Sequence, residues 1–306
     1  MKAIRIGDAP LIHRGLHPSL GDNINGPSLI RVPAWLPDPL GRYYLYFAHH
    51  NGRHIRMAYA DAIEGPWTVY APGVLSVEDS TCLDHVASPD VHVDDGSREI
   101  RLYFHGVAFP KGAPTDGHEQ LFGAASRWIG NQRTKLAVSR DGLQFRAQER
   151  VLGASYLRAF EWRGRLHAMA MPGVLYRARG DGEGLELGPQ LFDASFRHCA
   201  VRVDGDRLQV FFTRVGDAPE RILHTTVALQ GDWSGWSCGP VQEVLRPESA
   251  WEGAGLALEP SSRGPVFTPV RQLRDPALFV EDGRCYLLYA GGGEQAIGLA
   301  ELVADG

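Results

Sequence analysis

The sequence predicts an all-β chain folded as a five-bladed β-propeller, with four antiparallel strands per blade and the last blade closed by the N-terminal strand. Three observations carry this reading. A strand, a tight turn and an aromatic or apolar strand recur five times along the 306 residues. Glycine (36) and proline (20) are plentiful and apolar residues at helical spacing are scarce, so strands and turns dominate. The last copy stops one strand short, and a strand of the missing kind stands at the opposite end of the chain.

In chain order the first two strands of each unit lie in "PSLIRVPAWLPDPLGRYYLYFAHH", "SPDVHVDDGSREIRLYFHG", "YLRAFEWRGRLHAMAMPG", "RHCAVRVDGDRLQVFFTRVG" and "RDPALFVEDGRCYLLYAGGG". A third strand follows in each: "HIRMAYAD", "TKLAVSRDG", "GVLYRARGDG", "RILHTTVAL" and "AIGLAEL". A fourth follows in the first four: "WTVYAPGVLS", "QFRAQERVLG", "LELGPQLF" and "GPVQEVLR". Four-stranded sheets repeated in this way bury both faces only against their neighbours, which is the propeller arrangement. "RIGDAPLIHRG", near residues 4–14, supplies the fourth strand of the last blade, and residues 1–306 read as a single domain. A pair of β-sandwiches would leave the shared strand order unexplained. "AVSRDGLQF" is similar to part of the Asp-box turn of sialidases; as a hairpin between third and fourth strands it reads as structural.

Composition narrows the partners. A net charge of −5 without a Lys/Arg run gives no field for nucleic acid, and no apolar run is long enough to span a membrane. "MKAIRIGDAPLIHRG" lacks the features of a signal peptide, and Cys82, Cys199, Cys238 and Cys285 lack metal or redox spacing. Four reduced thiols in a cytoplasmic protein are expected.

Propeller geometry then sorts the polar residues. The innermost strand of each blade starts on one face of the disc, and the loop between second and third strands returns to that face. The inner-strand starts are Asn25–Gly26, Asp90, Arg158, Arg197–His198 and Arg274–Asp275; the loops hold His49 and His50, His105 to Gln132, Asp217 to Arg221, and Glu294. Asp90 and His92 are two apart in a strand and so point the same way, toward the axis, with His85 approaching from the preceding linker. Acids, histidines and arginines gathered over apolar strands have the form of a ligand site.

The five units resemble the five-bladed glycoside hydrolases of families 43, 62, 32 and 68, and more distantly family 117. "SPDVHVDDGSREIRLYF" resembles the second-blade "PD" motif of family 43, which implies a role for Asp90 in tuning the catalytic acid. "RDPALFVEDGRCYLLY" is similar to the motif that supplies the base in those enzymes, which implies Asp275. The first-blade segment reads "NGPSLIRVP", with Gly26 where the resemblance implies an aspartate, and the third reads "GASYLRAFEW", with Glu161 displaced into the strand. The resemblance also implies a carbohydrate partner, and a structural calcium in the axial channel; family 117 implies a histidine acid, which brings in His198.

Hydrolysis of a glycoside needs an acid and a base flanking the bond. The expected catalytic residues are Asp90, Asp275, Glu220 and His198. Those expected to bind substrate are His85, His92, His49, Arg158, Arg197 and Arg274, with no metal ligands and no certain cofactor. Three arginines suit an anionic sugar; equally they suit a structural network with Asp90, Glu220 and Asp275. Two other functions stay open: a non-catalytic carbohydrate-binding propeller, and a metal-assisted lyase or hydrolase using His49, His85, His92 and His198.

Overall fold

Apolar residues occupy both faces of the inner strands, so each sheet has to be covered twice, and the structure does this with a ring. The computed structural model describes residues 1–110, 131–180 and 184–304. After β1 (Lys2–Arg5) and β2 (Ile12–His13), the first blade is β3 (Asn25–Arg31), β4 (Tyr43–Ala48), β5 (His54–Ala60) and β6 (Thr68–Ser76). The second is β7 (Val86–Asp94), β8 (Glu99–Val107), β9 (Gln132–Ser139) and β10 (Arg146–Ala147). The third is β11 (Arg158–Trp162), β12 (Arg165–Ala170), β13 (Val174–Ala178) and β14 (Leu185–Gln190). The fourth is β15 (Phe196–Asp204), β16 (Arg207–Arg214), β17 (Ile222–Ala228) and β18 (Gln242–Leu245). The fifth is β19 (Leu273–Glu281), β20 (Arg284–Gly291) and β21 (Ala296–Val303), completed by β1 and β2.

The period of two along a strand explains why second strands are apolar throughout. In β4, Tyr43, Leu45 and Phe47 pack with Phe279 and Leu288 of the fifth blade, whereas Tyr44, Tyr46 and Ala48 pack with Leu102 and Phe104 of the second. Strand β20 divides likewise: Tyr286 and Leu288 face the first blade, and Leu287 and Tyr289 join Phe211 of the fourth. The core is thus five wedges, one between each pair of neighbouring blades.

Inner hairpins turn on the far face. Arg163–Gly164 and Asp282–Gly283 have φ of 50° and 71°, and of 50° and 76°, as a two-residue turn matched to strand twist requires. The Asp141 turn is structural: its Oδ1 accepts the Leu143 and Gln144 amides at 2.8 and 2.9 Å. All four cysteines are free thiols, and among the described residues no helix is long and apolar enough to cross a membrane.

Closure follows the expected route. Lys2 to Arg5 pair with Val303 to Ala300, and Ile12 and His13 pair with Ile297 and Ala296. A salt bridge reinforces the seam: Arg5 reaches both carboxylate oxygens of fully buried Glu252 at 2.8 Å, and Glu252 also accepts the Tyr289 hydroxyl at 2.8 Å. Removing residues 1–14 would strip buried Ile12 from the core, leave Glu252 without its cation and bare the edge of β21. Thermal melting of the truncated chain should show a loss of about 3 kcal/mol or more, with aggregation by light scattering. An unchanged melt would refute this view of closure.

Candidate functional site

The site is built from a backbone irregularity repeated in every blade. Gly26, Ser88, Tyr156, His198 and Asp275 stand at equivalent places where the inner strands begin, with φ of 59°, 50°, 60°, 41° and 50°. In four blades the ladder to the second strand slips at this point: between Asn25 and Ser28, Ala87 and Asp90, Arg197 and Cys199, and Arg274 and Ala277. Such bulges re-aim a side chain out of the sheet, and left-handed backbone at non-glycine residues is concentrated at functional sites. Here the re-aimed residues surround a depression of about 290 Å³, lined by Ser88, Tyr156, His198 and Asp275 and by Asn25 and His50 from the first blade.

Two residues further along each inner strand come Ser28, Asp90, Arg158, Ala200 and Ala277, which line a separate axial channel of about 290 Å³. This corrects the expectation that Asp90 joins Asp275 in one depression. The second-blade counterpart of Asp275 is Ser88, and Asp90 lies one layer deeper. Its Oδ2 accepts from His92 Nε2 and from the Ala159 amide, both at 2.8 Å. Asp90 and His92 do point the same way, into the channel. Burial pushes the Asp90 carboxyl up, but His92 and Arg158 pull it below its ordinary value; His92 is lowered by burial and raised more by Asp90.

Arg158 forms the floor between the two spaces rather than a contact of the depression. Its guanidinium lies 4.1 Å from the Tyr156 ring centroid, with Nε donating to the Cys199 carbonyl at 3.1 Å and Nη1 to the Ser88 carbonyl at 3.2 Å. This arrangement does not suit calcium in the channel. Asp90 is the one carboxylate there, its Oδ2 is already taken by His92 and Ala159, and a buried guanidinium stands beside it. Among the described residues no group of three or more His, Cys, Asp or Glu could hold a metal ion.

Asp275 faces the depression with its Oδ1 accepting the Tyr156 hydroxyl at 2.9 Å and its Oδ2 unpartnered. Burial, then the charge of Glu294, raises its carboxyl to about 6. His198 is held well below its usual value by burial and then by Arg197 and Arg274. Because arginine only donates, the Arg197 contact at 3.1 Å makes His198 Nε2 an acceptor and leaves the proton on Nδ1, 3.5 Å from Asp275 Oδ1.

The remaining expected residues divide clearly. Arg197 lines the depression, but Glu220 and Arg274 lie behind it. Glu220 is shielded from water, accepts Thr213 Oγ1 at 2.7 Å and pairs with Arg274 at 3.2 Å and Arg197 at 3.6 Å. The network alternative therefore describes Arg274, which also meets Glu294 at 2.9 Å. His85 is buried and packs edge-on against His105, one shell outside the lining. His49 turns away to Asp22 at 3.2 Å and Phe267, bordering a different groove. Of the loop from His105 to Gln132, residues 111–130 lie outside the described residues.

In place of His49 the structure brings in His50. Its Nδ1 is 3.4 Å from Glu294 Oε2, and its backbone amide donates to Asn23 Oδ1 at 2.8 Å. Glu294 is fully buried and also accepts from Asn23 Nδ2 at 2.5 Å; burial raises its carboxyl, but His50, Arg274 and Asn23 bring it below the ordinary range. A carboxylate that binds one ring nitrogen fixes the tautomer and presents the other as an acceptor. Tyr156, Ser88 and Arg263 are further lining residues that the sequence alone did not single out, whereas Asn25 lines the depression from the first-blade strand start named above. The available signal was proline: Pro27, Pro89 and Pro276 follow Gly26, Ser88 and Asp275 and set the common register.

Two stability effects follow from these charges. Arg274→Met would leave Glu220 and Glu294 buried against one another's charge, and denaturant unfolding should show a loss of about 3–5 kcal/mol. For His92 the folded value is raised, so its contribution is complete below the unfolded value near 6.5 and fades as pH rises through the folded one. The His92 side chain is 42% exposed, so solvent screening keeps the effect small. Tm measured from pH 6 to 9 should fall less in His92→Gln than in the parent protein; parallel curves would contradict the ion pair.

No protein-family model matches the chain. Solved structures share its fold. A GH43 β-xylosidase/α-arabinofuranosidase from a compost microbial metagenome, in complex with xylotriose, superposes with TM-score 0.62 at 13% identity, over 99% of this chain and 96% of that one. The Cellvibrio cellulosa α-L-arabinanase complexed with arabinohexaose gives TM-score 0.58 at 12% identity, over 93% of each chain. At these identities the likeness is one of fold. "Uncharacterized protein R118" of Acanthamoeba polyphaga mimivirus is 34% identical over 92% of this chain and 83% of its own length. At that identity and coverage, the five-bladed propeller described above belongs to the same family as the mimivirus protein R118.

Proposed function

We propose that this propeller hydrolyses a glycosidic bond of a sugar held in the depression, with Asp275 as the acid and His50, oriented by Glu294, as the base. The observation that carries the reading is a carboxyl raised to about 6 with a free Oδ2, sharing the depression with a carboxylate-bound imidazole. An acid that holds its proton near neutral pH can deliver it to the departing glycosidic oxygen. The imidazole of His50 takes a proton from water as that water adds to the anomeric carbon. Tyr156 and His198 hold the Asp275 carboxyl from the Oδ1 side and leave Oδ2 without a partner in the protein. The shared fold with GH43 enzymes supports a carbohydrate as the bound molecule.

A second reading, a propeller that binds sugar without cleaving it, is favoured by one observation. Asp275 is the single carboxylate lining the depression among the described residues, whereas most glycosidases use two.

Screening a panel of 4-nitrophenyl glycosides tests the choice. In the reactive glycoside, Asp275→Asn and His50→Gln should each lower kcat by about 10²–10⁴-fold. The wild-type rate should fall as pH rises through the Asp275 value, because the acid loses its proton there, and Asp275→Asn should lack that limb. The same substitution removes an unfavourable buried charge, so its melting point at pH 8 should match or exceed that of the wild type. Full activity in both variants would exclude this mechanism; sugar binding with no cleavage of any glycoside would select the binding propeller.

A further inference from the structure

One guanidinium at the depression has no carboxylate partner among the described residues. Glu220 sits between Arg197 and Arg274, and Glu294 pairs with Arg274 and His50. Deeper, Asp90 faces His92 and the charge of Arg158. That leaves Arg263, which lines the depression and pairs with no carboxylate among the described residues. Its Nη2 donates to the Ala194 carbonyl at 2.5 Å, while Nη1 lies 3.7 Å from Met171 Sδ, a weak acceptor. Partial burial and then the neighbouring charge of Arg197 lower the Arg263 guanidinium from its ordinary value.

The side chain is presented from an anchored segment. Arg263 belongs to the connection between β18 and β19, from which it and Gly264 line the depression. Two residues before it, the Ser261 amide donates to the Asp217 carbonyl at 3.0 Å, and the Ser261 carbonyl accepts the Gly216 amide at 3.1 Å. Three residues after it, the Val266 carbonyl accepts Asn23 Nδ2 at 3.0 Å. A guanidinium held this way beside a second arginine, over a depression lined by a single carboxyl group among the described residues, is a site for planar anionic oxygens.

We propose that the sugar bound in the depression carries an anionic substituent, a carboxylate or a sulfate ester, and that Arg263 is the residue that reads it. This rests on the carbohydrate reading above and adds the substrate's charge. Nη1 has the free donors, and Arg197 supplies a second positive charge to the same group.

Binding can be measured by calorimetry at low and high salt with D-glucuronate, D-galacturonate and D-glucose 6-sulfate against D-glucose and D-galactose. At least one anionic sugar should bind about tenfold tighter than its neutral counterpart, with the difference shrinking as salt rises. Whether the tighter ligand is a uronate or the sulfate ester identifies the substituent. Arg263→Gln should bring the ratio close to one, and Arg263→Lys should retain part of it because the charge stays and the planar fork is lost. Equal binding of anionic and neutral sugars would overturn this proposal and leave the carbohydrate reading intact. An anionic preference that survives in Arg263→Gln would overturn the assignment to Arg263. Failure of every sugar in the panel to bind would overturn the carbohydrate reading and this proposal with it.

Discussion

A buried guanidinium on the propeller axis organises what lies above and below it. Where five inner strands converge, each leaves its regular ladder, and carbonyls freed at the bulges need donors. Arg158 supplies them: it binds the Ser88 carbonyl of the second blade and the Cys199 carbonyl of the fourth while extending from the third. Its flat face supports the Tyr156 ring, and Tyr156 in turn donates to Asp275 of the fifth blade. One side chain thus links four of the five blades, the fifth blade through Tyr156. The same cation closes the floor of the depression and stabilises the Asp90 carboxylate beneath it. Burial opposes its charge, yet Tyr156, Asp90, Cys199 and Asp275 together keep the guanidinium above its ordinary value.

Around that floor the acids sort by what surrounds them. Glu294 is surrounded by donors and stays ionised; Asp275 has a tyrosine hydroxyl, a distant imidazole and the repulsion of Glu294, and holds its proton further up the pH scale. Opposed environments of this kind push two neighbouring carboxyl groups to opposite protonation preferences. Arg274, which pairs with both Glu220 and Glu294, does so from behind the lining, so it sets the potential of the depression without occupying it. Function and stability therefore draw on the same buried network, and Arg274 belongs to both.

The fold was legible because a ring of sheets leaves a periodic trace. Strand pairs, turn glycines and the incomplete last unit are local, and the period of two in a segment such as "YYLYFA" already implies two covered faces. The site was legible in part. Asp275 and His198 were found because they begin inner strands, and Arg197 because it adjoins them. Asp90 was placed one step too high, since acidity drew attention to it while the bulge register runs through Ser88 and its following proline. His49 and His50 are adjacent, and no pattern in a single chain says which of two neighbours in a loop faces inward; Glu294, far away in sequence, decides it. Arg263 lies in a connection that carries no repeat at all, so nothing periodic pointed to it.

Closure of the ring by the first residues has a consequence for how the site comes into being. Asp275 stands on the fifth blade, and that blade is finished by Lys2 to Arg5 and by Ile12 and His13. β1 and β2 must wait for β21 before they can pair, so the contacts that complete this blade join segments far apart in the sequence. Contacts of that kind form late and slowly. Until they form, β21 keeps an open edge and buried Glu252 lacks Arg5, so the blade that carries Asp275 is the last part of the ring to gain its full support.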